Sequence, residues 1–230
     1  MKDLISNSIY FGFLISIIGY EIGLLLKKKF KKAFFNPLLV SIIFIISFLL
    51  IFQIDYESYY NGAKYLSYLL TPATVCLSIP LYQQLTLLKN NYKAILGGIF
   101  SGVLTSLTSI LILSKMFALT QEQYITLLPK SITTAIGIGV SEELGGIVTL
   151  TVATIILTGI LGNILAETIC KIFRIQEPVA KGVAIGTSSH AIGTAKAMEI
   201  GEIEGAMSSL AIAVAGLITV VAASIYANFI

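Results

Sequence analysis

The sequence predicts an all-α membrane protein, a multi-span helical bundle with broken or re-entrant helices and inverted repeats. Three observations predict it. Hydrophobic residues make up 56% of the chain and charged residues 12%, with a mean hydropathy of +0.91, which is more apolar surface than a soluble core hides. The charges are bunched, leaving Ala33–Ile54, Tyr65–Leu88, Ala94–Ser114, Leu144–Ala166 and Gly205–Ile230 uncharged. Each interval reaches about 20 residues, enough to cross about 30 Å of hydrocarbon at about 1.5 Å per residue. Between ordinary apolar stretches stand segments rich in Pro, Gly, Ser and Thr, whose backbone polar groups lipid cannot satisfy.

Taken in order, residues 1–33 form a first span and a cytoplasmic loop. The span runs Leu4–Leu26 with Glu21 near its end, and Lys27-Lys28-Lys29-Phe30-Lys31-Lys32 follows it. No small-residue cleavage site follows the apolar stretch, so it reads as retained rather than as a signal peptide. Residues 34–114 make repeat one, 115–146 a central broken segment, and 147–230 repeat two, all within a single membrane domain over 1–230. Pro37–Ile51, Ala94–Leu113 and Ile147–Leu165 read as scaffold spans. The interrupted segments are Pro72 to Pro80, then Pro129 through Thr134 with Gly137 and Gly139, then the His190 segment at about 181–200, with Gly186 and Gly193.

Lys and Arg in short loops mark the cytoplasmic side. On that rule Lys89, Lys93, Lys171, Arg174 and Lys181 lie inside, while Asp55, Glu57, Glu122, Glu199, Glu202 and Glu204 lie outside. The pattern closes only if Tyr124–Glu143 enters and leaves on one side, with the N-terminus outside and the C-terminus cytoplasmic. Span, interrupted segment and span recur in repeats one and two with opposite orientation; a shorter parallel register lays Pro72 onto Pro129. In the inverted case the broken segments meet near mid-bilayer, where helix N-termini hold anions.

Pro72-Ala73-Thr74-Val75 through Pro80-Leu81-Tyr82, Leu127 to Thr134 with Gly145-Gly146, Ser188 to Ala195, and Glu204 to Leu210 resemble the LrgB/CidB family, YohK included. The resemblance spans nearly the whole chain in order. It implies a bacterial-type plasma (inner) membrane and a transporter of small monocarboxylates of the pyruvate, glycolate or glycerate class, as in the related plant plastidial glycolate/glycerate transporter. The alternative it leaves is the family's other association, a regulator of murein hydrolase export and cell lysis working with a small holin-like LrgA/CidA partner. Ala135 and Ala222-Ala223 depart from the family pattern where relatives carry proline.

Site candidates follow from residue chemistry. Lys130, between Pro129 and a Ser/Thr cluster, needs an anion or water beside it and is the first choice to bind the solute's carboxylate; the plainer alternative is snorkelling from a helix end. His190, the single histidine, has an ordinary pKa of about 6.5 that suits proton symport; alternatively it fastens a turn as a neutral ring. Thr74, Ser131, Thr133, Thr134, Ser188, Ser189, Thr194, Ser208 and Ser209 supply hydroxyls for a small oxygen-rich solute, although any single one can instead bond a helix carbonyl. Glu199 and Glu142 join His190 as proton-coupling candidates, and they, with Glu143, are candidate partners for Lys196 or Lys130. Gly98/Gly102, Gly182/Gly186 and Gly201/Gly205 have the spacing of close helix packing.

Other classes find little support. The chain has no H-E-x-x-H, P-loop or dinucleotide-binding glycine motif and only two aspartates, Asp3 and Asp55, so an enzyme is not expected, nor a cofactor or metal. Cys76 and Cys170 stand far apart in apolar surroundings and read as free thiols. The net charge of +3 is explained by cytoplasmic lysines without nucleic acid. A homodimer is the expected assembly.

Overall fold

The computed structural model describes residues 10–30, 35–76 and 78–230, and its regular structure among them is helical throughout. The calls on Lys31, Lys32 and the start of the first span lie outside the described residues. The chain divides into two compact units, Met1–Cys76 and Leu77–Ile230.

In the first unit, α1 (Phe11–Phe30), α2 (Pro37–Phe52), α3 (Tyr56–Ser67) and α4 (Leu70–Cys76) follow one another. Pro37 opens α2 while Asn36 accepts from the amides of Leu38 and Leu39, at 2.9 and 3.2 Å, so proline's missing donor falls where none is needed. Gln53 closes α2 at φ 49°. Helix α1 packs on both α2 and α3, with Gly19 against Ser41 and Ser16 Oγ 2.9 Å from Tyr59 Oη. The stretch predicted as Tyr65–Leu88 is interrupted, as expected: α4 has 7 residues. Pro72 is exposed within it, and the side chain of Thr74 lies outside the described set.

In the second unit, α5 (Ser78–Gln83) precedes α6 (Leu85–Met116), α7 (Gln121–Leu127), α8 (Thr134–Leu144), α9 (Val148–Ile172), α10 (Pro178–Ile200) and α11 (Glu202–Tyr226), with a short 3₁₀ turn at the end. The side chain of Pro80, on α5, also lies outside the described set. Among the described residues three helices are long and apolar enough to cross a bilayer, Leu85–Met116, Val148–Ile172 and Glu202–Phe229. Ile95, Ile99, Val103, Leu107 and Ile110 make a stripe at helical spacing on α6 and share one core with Ala206, Ala211, Ala215 and Ala223 of α11. Small residues on one helix and β-branched or long ones on the other allow close approach.

Contacts give the directions of these helices. A methyl on Gly98 would meet Val183 and one on Gly102 would meet Thr187, so α6 and the start of α10 run the same way. Gly182 lies on Glu204 and Met207, and Gly186 on Ser208, so α11 runs that way too. Gly159 faces His190, Gly162 faces Ser189, and Ala166 packs with Ile185, so α9 runs opposite to all three.

Helix α10 does not cross. At His190 the backbone leaves helical geometry, with φ 41° and ψ −141°. Ile185 and Ala197, 12 positions apart in sequence, pack together with Ala166, whereas a straight helix would hold them about 18 Å apart. Residues 178–189 and 191–200 are therefore two arms of a re-entrant hairpin with His190 at its tip. This corrects the charge-based placement: Lys171, Arg174 and Lys181 line one recess with Glu199, instead of facing it across the membrane. The rule failed because it took an interrupted segment for a crossing.

The central segment is a second hairpin. Helix α7 begins at the far end of α6, where Thr108 Oγ1 stands 2.8 Å from Tyr226 Oη and the Tyr124 hydroxyl donates to the Tyr226 carbonyl at 2.9 Å. Helix α8 runs back to that end, since Gly146 lies against Ile125 and Thr126 and the Ile147 amide donates to Thr126 Oγ1 at 2.8 Å. Within this unit a span and a hairpin (85–144) are thus followed by a second span and hairpin (148–200) entering from the opposite end, an inverted arrangement.

Candidate functional site between two hairpin tips

The tip of the first hairpin is built by Pro129. Lacking an N–H, it cannot continue the helical ladder; Leu128 donates to the Ile125 carbonyl at 3.2 Å and Lys130 to that of Leu127 at 3.1 Å, which tightens and ends α7. Thr133 then takes an extended conformation, φ −64° and ψ 147°, and α8 starts without a side-chain cap. Lys130 sits in this turn. Its ammonium donates to Ser131 Oγ at 2.9 Å and to Ser106 Oγ on α6 at 3.2 Å. Among the described residues it has no carboxylate partner. Glu142 and Glu143, sequence candidates for that role, are exposed at the other end of α8, about 12 Å along the axis from its first residue.

The tip of the second hairpin is His190, which is 3% exposed. Its Nε2 lies 2.9 Å from the Ile155 carbonyl; a carbonyl only accepts, so this nitrogen carries the proton and donates. Thr194 Oγ1 donates to the His190 carbonyl at 3.0 Å and stands 2.7 Å from Ser208 Oγ on α11. The Asn163 side-chain amide, from α9, donates to the Ile192 carbonyl at 2.9 Å. These bonds close around a backbone break that would otherwise leave polar groups unmet in the bilayer. Gly159 and Gly162 make the close approach possible, because a side chain at either would enter His190 or Ser189.

The two tips stand at one level. Gly137 of α8 lies on Ile155 of α9, so one turn back along α8 and one turn on along α9 bring Thr133 level with Gly159, where the His190 ring sits. Likewise Thr187 faces Gly102, so one further turn along α6 brings Ser106, which holds Lys130, to about the level of the His190 tip. Gly159 lies close to the middle of the 25-residue α9. The second arm of α10 and helix α8 both begin here, and a helix start presents amide N–H groups free of helical acceptors together with the positive end of its dipole. An ammonium, two helix starts and several hydroxyls in the middle of the unit suit a small anion.

Not every candidate joins this arrangement. Ser131, Ser189, Thr194 and Ser208 are buried near the tips, and Thr133 and Thr134 open α8. Ser188, exposed, donates to the Ala184 carbonyl at 2.8 Å, and Ser209 to that of Gly205 at 2.9 Å, each inside its own helix. Glu199 sits at the mouth of the second hairpin, 3.3 Å from Lys196. Gly186 packs on Ser208 of α11 and Gly193 on Ile185 and Ser189 of the hairpin's first arm, neither of them at the break, and Gly201 separates α10 from α11 rather than pairing with Gly205 along one helix. The sequence does not single out Ser106 or Asn163, nor Thr187, whose buried hydroxyl lacks a partner among the described residues. Each is a single polar residue in an apolar run, a signal too common to single out.

The family model described as LrgB-like family matches residues 16–229. The chain belongs to the LrgB-like family. Relatives named "Antiholin-like protein LrgB" from Bacillus mycoides (strain KBAB4), Bacillus cereus (strain B4264) and Bacillus anthracis (strain CDC 684 / NRRL 3495) are each 39% identical over 222 residues, covering 96% of this chain and 96% of the relative. No solved structure matches the chain. Both hairpins fall inside the matched region, and the three apolar helices agree with a family of membrane proteins.

Proposed function

We propose that this LrgB-like chain is the membrane component of an antiholin-like system, restraining leakage or murein hydrolase release together with a small holin-like partner. What supports this reading is the name carried by relatives matched over 96% of the chain. In this reading the protein responds to the cell by taking up a small carboxylate between the hairpin tips, which the Lys130 ammonium and the two helix starts support.

A second reading, a secondary carrier of small monocarboxylates of the pyruvate, glycolate or glycerate class, is favoured by one observation. Lys130 holds a charge on two serine hydroxyls at the level of the His190 break, and among the described residues no carboxylate pairs with it. A lone cation at that depth costs about 2.5–3.5 kcal/mol on insertion scales, and a solute carboxylate offsets that cost through charge-assisted bonds. In alternating access the hairpins open in turn against α6, α9 and α11, with His190 or Glu199 passing a proton and two copies forming the carrier.

Flux separates the readings. Proteoliposomes containing the chain, alone and with a holin-like partner, are given labelled pyruvate, glycolate or glycerate under a pH gradient. Saturable uptake that Lys130→Ala removes establishes the carrier; no uptake by the folded protein, with partner-induced dye leakage suppressed, establishes the regulator. Failure of both measurements overturns both readings.

A further inference from the structure

The mouth of the second hairpin carries a cluster of cations that neither reading uses. A recess of about 500 Å³ opens there between the end of α9, the first arm of α10 and the end of its second arm, lined by Glu167, Lys171, Arg174, Lys181 and Glu199 among others. Its charges are unevenly matched. Lys196 bridges the two carboxylates, lying 2.6 Å from Glu167 and 3.3 Å from Glu199. Lys171, Arg174 and Lys181 have no ion-pair partner among the described residues, so three cations converge on a concave surface whose acids are already engaged. Arg174 stands at φ 55° just past α9, and the next residue, Ile175, returns its amide to the Cys170 carbonyl at 2.8 Å. That closing turn fixes the loop on which the guanidinium is carried.

We propose that this recess binds a phosphate group, with Arg174 as the planar fork, Lys171 and Lys181 as flanking charges, and the Lys196 bridge holding the opposite wall. Phosphate suits the set better than a monocarboxylate, because it brings more negative charge and more acceptor oxygens to match three cations. The ligand spans two parts that must separate if the hairpin is to move: Arg174 and Lys171 belong to α9 and its loop, Lys181 to the hairpin's first arm. An occupied recess therefore clamps the hairpin whose tip carries His190. The group is either the headgroup of an anionic lipid or a free phosphate, and the site lies near enough to the end of a crossing helix for both.

The test is binding, so that it stands or falls separately from flux. Full-length protein in nanodiscs of phosphatidylcholine alone is titrated with inorganic phosphate by calorimetry. In parallel, protein from mixed phosphatidylcholine and phosphatidic acid is examined for retained lipid by native mass spectrometry. The triple variant Lys171→Gln, Arg174→Gln, Lys181→Gln is expected to lower whichever binding is seen at least tenfold, and Lys181→Gln alone several-fold. Lys89→Gln with Lys93→Gln, on α6 and outside the recess, is expected to change it less than twofold. Saturable phosphate binding assigns a free ligand; retention of phosphatidic acid alone assigns a headgroup. No binding of either kind, or binding that the triple and single variants both leave unchanged, overturns the proposal.

Discussion

The two hairpins have one shape and are made in different ways. The first turns at Pro129, with separate helices on either side and an extended Thr133 between them. The second turns at His190 inside what is nominally one helix, with no proline or glycine at the bend and φ at 41°. In the first the chain itself forbids the helix to continue. In the second, the bend is held by neighbours: Ile155 takes the ring, Asn163 the Ile192 carbonyl, and Gly159 and Gly162 leave the room. A turn enforced by covalent geometry tolerates changes around it, whereas one enforced by packing depends on every contact that holds it. The division extends to chemistry: the first tip carries a lysine ammonium, the second a network of imidazole, hydroxyl, amide and carbonyl groups.

The sharpest test is to remove the cation. Lys130→Ala is expected to lower small-carboxylate uptake about 100-fold, equivalent to about 2.7 kcal/mol, while Lys28→Ala, at an exposed position of α1, changes it less than twofold. Equal effects in a flux assay would erase the distinction between the tips. Next is the space behind the second tip. Gly162→Leu drives a side chain into Ser189 and is expected to destabilise the protein by up to about 3 kcal/mol, whereas Gly139→Ala, which meets nothing within 4 Å, should leave thermal unfolding in detergent unchanged.

The bend itself can be separated from the ring that fastens it. His190→Gly and His190→Ala both lose the bond to Ile155, but only glycine accepts the positive φ freely. The glycine variant should unfold at the higher temperature, by a margin of about 1 kcal/mol, and an inverted order would mean that the bend is relaxed in solution. The smallest effect is at Thr194 and Ser208. A double-mutant cycle of Thr194→Val and Ser208→Ala should give a coupling of about 0.6 kcal/mol, typical of polar pairs between membrane helices; a coupling near zero would show that the 2.7 Å contact holds nothing in place.

Pro129 with the Ser/Thr run after it marked the first tip plainly, and the need for Tyr124–Glu143 to return to one side was readable from the charges of its neighbours. The segment 181–200 reads in sequence as interrupted and equally as a crossing, because its length allows one and Glu199 stands at its end. Loop charges report the side on which a segment ends only after it is known whether the segment crosses. Lys130 was legible as a costly charge. Its actual partner Ser106 was not, since it lies on a helix read as scaffold, and a hydroxyl in an apolar run carries no mark of what it faces.

By itself the sequence determined the environment, the helical character, the interrupted segments and the residue types available to hold an anion. Those follow from composition and local backbone chemistry, which act over a few residues. Only the tertiary structure decided that His190 is a tip, that Lys130 rests on Ser106, that the tips share the level of Gly159, and that Lys171, Arg174 and Lys181 surround one recess. The physical reason is that a strained turn, and the partner of a buried polar group, are set by what packs against them from elsewhere in the chain.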